Sequence, residues 1–277
     1  MGIGACAALL PWRPASTAGP KTPLATAHAH NDYAHPNPHG TFGLGYRSIE
    51  VDVFPVDGRL LVAHDAKDLR PARSLDALYL APILARCRDA ADAGRGPCPH
   101  GHRLTLLVDI KRQGELSTKL LEDELEPLLP WLRRVEGGRL VDGPIEVVVS
   151  GARSVEKLAA SDDRLVFVDG RLKDLASPPP VTLMPQVSAS FRSVTGTYGI
   201  RGLDEAAKSR IAEVAKQARD HGRRLRFWAH MEAPWVWSTL VANRVDLIGS
   251  DVPWALARWL RANDPRCRPT SESRIES

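Results

Sequence analysis

The chain has 277 residues, 43% hydrophobic and 25% charged, which suits a large buried core and excludes a disordered chain. Its 37 Lys and Arg against 33 Asp and Glu leave a formal charge of +4 and a pI near 9.0. The excess is spread thinly, and its densest run, Arg223, Arg224 and Arg226, is too short for a nucleic-acid-binding patch and reads as a solvated arginine surface.

No segment approaches the roughly 18 apolar residues of a membrane span. A mild positive field still favours an anionic substrate, or peripheral contact with an anionic membrane surface. Cys6, Cys87, Cys98 and Cys267 show no C-x-x-C spacing, which argues against structural zinc; Cys87 and Cys98 flank a Gly/Pro loop and could be bridged in an oxidising compartment. Residues 1–22 carry a short apolar run and then Ser16-Thr17-Ala18, the layout of a signal-peptide remnant without its positive start. The expectation is a flexible N-terminal segment on an exported (periplasmic or secreted) bacterial protein, with a cytoplasmic one as the alternative.

From residue 23 a strand runs to His28, and residues 41–46 read as a turn of helix closed by glycine. Residues 47–54 form a second strand. Side chains alternate along a strand, so Glu50 and Asp52 share one face while Ile49, Val51 and Val53 share the other. Two carboxylates on one face repel unless a cation lies between them, so the pair reads as a metal site or an acid/base pair. Asp57-Gly58 suits a tight hairpin turn, and the return strand 59–63 brings His64 and Asp65 back toward the level of Glu50 and Asp52.

Residues 74–91 carry a helical pattern with Ser74 as cap and Pro82 as kink, and 93–102 are a loop in which His100 and His102 are solvated. The apolar strand 103–110 ends in Asp109 and Lys111, both on one face; burying that charge requires pairing or a metal. A helix over 115–134 follows, with Gly137-Gly138 closing its connection. Strands are expected at 145–150, 165–168, 181–187, 225–229 and 245–249, separated by helices at 155–160, 204–221 and from Pro253. Strand and helix alternate through eight strands over residues 23–263, the order of a TIM-type (β/α)8 barrel of the α/β class, followed by a polar tail at 264–277.

AHAHNDY at 27–33, IEVDV at 49–53, LLVAHD at 60–65, the LYLAPIL stretch at 78–84 and LLVDIK at 106–111 resemble the family of altered inheritance of mitochondria protein 6. That family lies within the superfamily of glycerophosphodiester phosphodiesterase and phosphatidylinositol phospholipase C barrels. The resemblance implies a phosphoric diester hydrolase of the phospholipase type, active in lipid metabolism, with one divalent cation, Mg²⁺ or Ca²⁺, held by Glu50, Asp52 and Asp109. It implies a His/His acid-base pair: His64 is one member, and the other is His28 or His30. Lys111 would meet a phosphate oxygen, and Asn31, Trp228 and Asp251 would contact substrate. D-x-K at Asp109 and Lys111, with Trp228, is similar to the sphingomyelinase D branch; Asp251 departs from it where an asparagine is expected, which leaves the head group open.

His35, His39 and His221 are read as ordinary histidines, His230 is left open, and Asp32 and Tyr33 as shaping the loop. Two rivals remain. A zinc amidohydrolase also opens with H-x-H but needs further histidines on its middle strands, which 145–187 lack. The other is an inactive barrel serving as a binding module.

Overall fold

The computed structural model describes residues 23–34, 40–98 and 102–267. In chain order the strands are β1 (Leu24–Ala29), β2 (Tyr46–Val56), β3 (Arg59–Val62), β4 (Leu104–Ile110), β5 (Arg134–Glu136), β6 (Arg139–Val141), β7 (Ile145–Gly151), β8 (Phe167–Gly170), β9 (Gln186–Ser190), β10 (Arg224–Trp228) and β11 (Leu247–Ser250). The helices are α1 (Gly40–Gly43), α2 (Ala81–Asp92), α3 (Gly114–Leu125), α4 (Val155–Ala159), α5 (Phe191–Thr195), α6 (Glu205–Asp220), α7 (Pro234–Ala242) and α8 (Pro253–Asn263). Eight parallel strands run in the order β1-β11-β10-β9-β8-β7-β4-β2, and β2 pairs back onto β1, closing the TIM-type barrel that the alternating pattern predicts. β3 adds to β2 antiparallel through the Asp57-Gly58 turn, where φ is +48° and +75°.

Outward-facing residues such as Ile49, Val51, Leu106, Val108, Val147, Val149, Val187 and Phe227 are buried beneath the helices and form the main core. The barrel interior is layered and largely polar. At its amino end Glu146 accepts from Arg133 (2.5 Å) and Arg224, which also donates to Thr105. Leu107, Val148 and Phe167 form an apolar plug above. At the carboxyl end, register sets Asp52 beside Asp109 and Asp109 beside Ser150.

Three boundaries differ from the sequence reading. The helix expected over 115–134 ends at Leu125 and passes into a 3-10 turn at Glu126–Trp131, because Pro127 and Pro130 lack the amide hydrogens that an α-helix needs. Gly137 and Gly138, at φ +55° and +73°, turn a β5-β6 hairpin instead of closing a plain connection. The run at 181–184 is a turn, exposed at Val181 and Thr182 and buried at Leu183 and Met184, whose amides donate to the Pro180 carbonyl (2.9 and 3.0 Å), so the sixth barrel strand begins only at Gln186. Asp264, where the polar tail was expected to begin, is buried and accepts from Thr26 (2.8 Å). Cys87 and Cys98 are free thiols. His35, His39 and His100 lie outside the described residues.

Candidate active site at the carboxyl mouth

The alternation on β2 and the register with β4 bring Glu50, Asp52 and Asp109 together, with one oxygen from each within 4.8 Å of the others. All three come from strands of the barrel, and three carboxylate oxygens so placed could hold a divalent metal ion. Lys111 follows β4 and its Nζ donates to Asp52 Oδ2 (2.8 Å) and Asp109 Oδ2 (2.6 Å). Those contacts raise the lysine above its ordinary value despite the opposing pull of burial. Burial, with the nearby Glu50 charge, raises Asp52 even though Lys111 and Tyr33 pull it down.

His28 and His30, two residues apart at the end of β1, have different surroundings. His28 is fully buried, with Nδ1 2.7 Å from Ser48 Oγ and Nε2 3.2 Å from Glu50 Oε2; burial and the neighbouring Arg226 push it down to about 3, so it is neutral. His30 opens to the mouth, with Nδ1 2.8 Å from Asp251 Oδ1 and Nε2 3.8 Å from Glu50 Oε2. Burial lowers His30, but the Asp251 hydrogen bond and the Glu50 charge outweigh it and leave the imidazole raised.

His64 follows Ala63, whose amide donates to the Asp52 carbonyl (3.3 Å) beyond the end of the β2–β3 pairing. The His64 side chain is 63% exposed, and its nearest acid is Asp65, with Nδ1 to Oδ2 at 3.5 Å. The structure therefore brings His28, His30, Glu50, Asp52, Asp109, Lys111 and Asp251 together, and leaves His64 on the rim. Asn31, at φ +49°, has Nδ2 3.4 Å from His30 Nδ1 and Oδ1 3.0 Å from the Tyr33 hydroxyl. Trp228 ends β10 half-exposed, followed by Ala229 in the left-handed region at φ +54°.

Three contributors were not read from the sequence. Arg226, taken with a solvated arginine run, is 3% exposed and donates to Glu50 across the barrel. Against the cost of burial, it is the main influence holding Glu50 below the usual carboxylate range. The parity that it shares with Trp228 on one strand was the available signal. Tyr33 does more than shape its loop: its hydroxyl donates to Asp52 Oδ2 (2.7 Å). Asp32 does shape it, accepting from Thr41 (2.7 Å) and Tyr79 (2.9 Å). Glu232 accepts from the Asp251 amide (2.8 Å) and Ser250 Oγ (3.0 Å), which fixes the loop carrying Asp251. His230, left open in the sequence, is buried edge-on to Phe191 and lowered by burial.

A closed parallel barrel with three carboxylates, a lysine and an ion-paired histidine at its carboxyl mouth defines a barrel of the phosphodiester-hydrolase type. Its fold is shared with the crystal structure of glycerophosphodiester phosphodiesterase from Agrobacterium tumefaciens, at a TM-score of 0.50 and 15% identity over 85% of this chain and 99% of that one. The profile of the AIM6-like phosphodiesterase domain matches residues 22–169, just over half of the sequence, and the chain belongs to that family.

The relatives include altered inheritance of mitochondria protein 6 homolog of Arthroderma benhamiae, 28% identical over 255 residues and covering 81% of this chain and 80% of that protein. Altered inheritance of mitochondria protein 6 of Eremothecium gossypii is 31% identical over 173 residues, 56% of this chain and 44% of that protein. These fungal relatives overturn the expectation of an exported bacterial protein, which rested on a signal-like pattern in residues 1–22 alone.

Proposed function

We propose that the chain is a metal-dependent phosphoric diester hydrolase acting on a glycerophosphodiester or phospholipid head group. The observation that carries this reading is the position of His30, held by Asp251 and facing Glu50 beside the only group of three potential metal-binding acids found among the described residues. Glu50, Asp52 and Asp109 would hold one Mg²⁺ or Ca²⁺. When bound, that cation supplies charge neutralisation to the diester's non-bridging oxygens.

His30 and His64 form the acid-base pair. One takes the proton of the attacking hydroxyl or water as its oxygen bonds to phosphorus; the other protonates the departing alkoxide as the old P–O bond breaks. Lys111 Nζ holds a non-bridging oxygen as negative charge builds. His28, buried and neutral, positions Glu50 through its Nε2 and is not the proton carrier. Asn31, Trp228 and Asp251 line the substrate's approach, and Asp251 also orients His30.

The zinc amidohydrolase reading loses ground because the inward positions on β7, β8 and β9 are Ser150, Asp169 and Ser188, with no histidine. The test is hydrolysis of glycerophosphodiesters, lysophospholipids, phosphatidylinositol and bis-p-nitrophenyl phosphate by wild type, Glu50→Ala and Asp109→Asn. Cleavage of at least one diester, lost in both variants while their melting stays cooperative, supports the proposal. A barrel that cleaves none of them is a binding module.

A further inference from the structure

Eleven large hydrophobic side chains are exposed among the described residues, and seven of them lie between the carboxyl ends of β9, β10 and β11 and the first turns of the helices that follow, at the carboxyl mouth. They include Tyr198 and Ile200 after α5, Trp228 at the end of β10, Trp235 at the start of α7 and Trp254 at the start of α8, exposed by 38% to 61%. The loops are tied into one ledge. The Met231 amide donates to the Tyr198 carbonyl (2.7 Å), Trp235 Nε1 donates to the Gly199 carbonyl (2.9 Å), and Glu232 bonds the Asp251 amide. Because its indole N–H is already satisfied, Trp235 presents ring rather than a hydrogen-bond donor. At ~150–250 Å² per aromatic side chain, the three tryptophans and Tyr198 leave on the order of 350 Å² of ring bare. Scattered single exposures are ordinary; their concentration beside a reaction site is not.

Charge decides among occupants. The Arg192 guanidinium lies 5.5 Å from the Tyr198 ring centroid, and Arg192 and Arg201 are both exposed beside the apolar ledge. Rigid aromatic rings set among arginines fit acyl chains beneath anionic head groups, whereas a second copy would oppose arginine to arginine.

We propose that this ledge docks on an anionic phospholipid bilayer and sets the barrel mouth at the lipid-water boundary. The proposal deepens the diester-hydrolase reading, since it selects a diester embedded in lipid, but its test needs no turnover. Wild type, Ile200→Ser/Trp254→Ser and the control Leu140→Ser are sedimented with vesicles of phosphatidylcholine alone or mixed with phosphatidylglycerol, after matched thermal melts.

The expected result is binding to the mixed vesicles and a fall of about tenfold or more in partition for the double variant, from lost apolar burial. The control should bind like wild type. Acyl chains carrying bromine should also quench wild-type tryptophan fluorescence, a readout independent of variant folding. Absence of wild-type binding, equal binding by the double variant, or self-association abolished by the ledge substitutions would overturn the proposal. Failure of hydrolysis with intact docking would count against the enzyme reading alone.

Discussion

His28 and His30 show how one strand end can give two imidazoles different work. Burial keeps His28 neutral against Ser48 and Glu50, while Asp251 and Glu50 hold the mouth-facing His30 raised. His30→Gln should therefore cost ~10²–10⁴ in kcat, the usual share of a general acid or base, while His28→Gln should act mainly through thermal stability. Steady-state rates beside melting curves separate the two. Asp251→Asn removes a group that raises His30, so the His30 titration should move to lower pH; NMR of the imidazole C–H in EDTA-treated protein reads it, and an unmoved curve contradicts the assignment.

Glu50, Asp52, Asp109 and Lys111 were legible because alternation within a strand is local. The Arg226 pairing with Glu50 was not: it spans 176 positions and exists only once the barrel closes. Nor could spacing alone distinguish the fully buried His28 from the open His30.

Two glycines isolate how strands hold the carboxylates. Gly151 ends β7 at φ +66°, and a methyl group there would come within 2.3 Å of the Ile110 carbonyl and 2.6 Å of Asp109 Oδ1. Gly58 has a similar φ, +75°, with open space around it. Gly58→Ala should thus cost only the backbone penalty of ~1–2 kcal/mol, while Gly151→Ala costs more and also weakens cation binding by displacing Asp109. Denaturant melts with calorimetric Mg²⁺ titration test both; equal effects would sink the argument. Element order was readable from periodicity, yet proline and turn chemistry moved boundaries. Leu183 and Met184 are apolar because they are buried in a turn, a pattern that length and hydrophobicity cannot separate from a short strand.

Across the whole molecule, the amino end of the barrel carries the ion pairs that close it, opposite the chemistry. Burial would raise Glu146, but Arg224 and Arg133 hold it below its ordinary 4.5. A depressed folded-state carboxylate contributes stability above its unfolded value, and that contribution fades as pH falls from 4.5 through the depressed folded value. Glu146→Gln should cost ~1–3 kcal/mol near neutrality, by leaving the partly buried Arg133 and Arg224 guanidinium groups short of a partner. The gap between variant and wild type should narrow as acid protonates Glu146 in the latter. Urea melts across that range read it, and a gap independent of pH would refute the linkage.

The central claim is that the three carboxylates hold a divalent cation on which diester cleavage depends. Its most direct test is the rate of diester hydrolysis by EDTA-stripped wild-type protein as Mg²⁺ or Ca²⁺ is added back. The account predicts no cleavage after stripping and saturable recovery with one of these ions, with Asp109→Asn needing far more of it. Cleavage that persists in EDTA, or that only zinc restores, would contradict it.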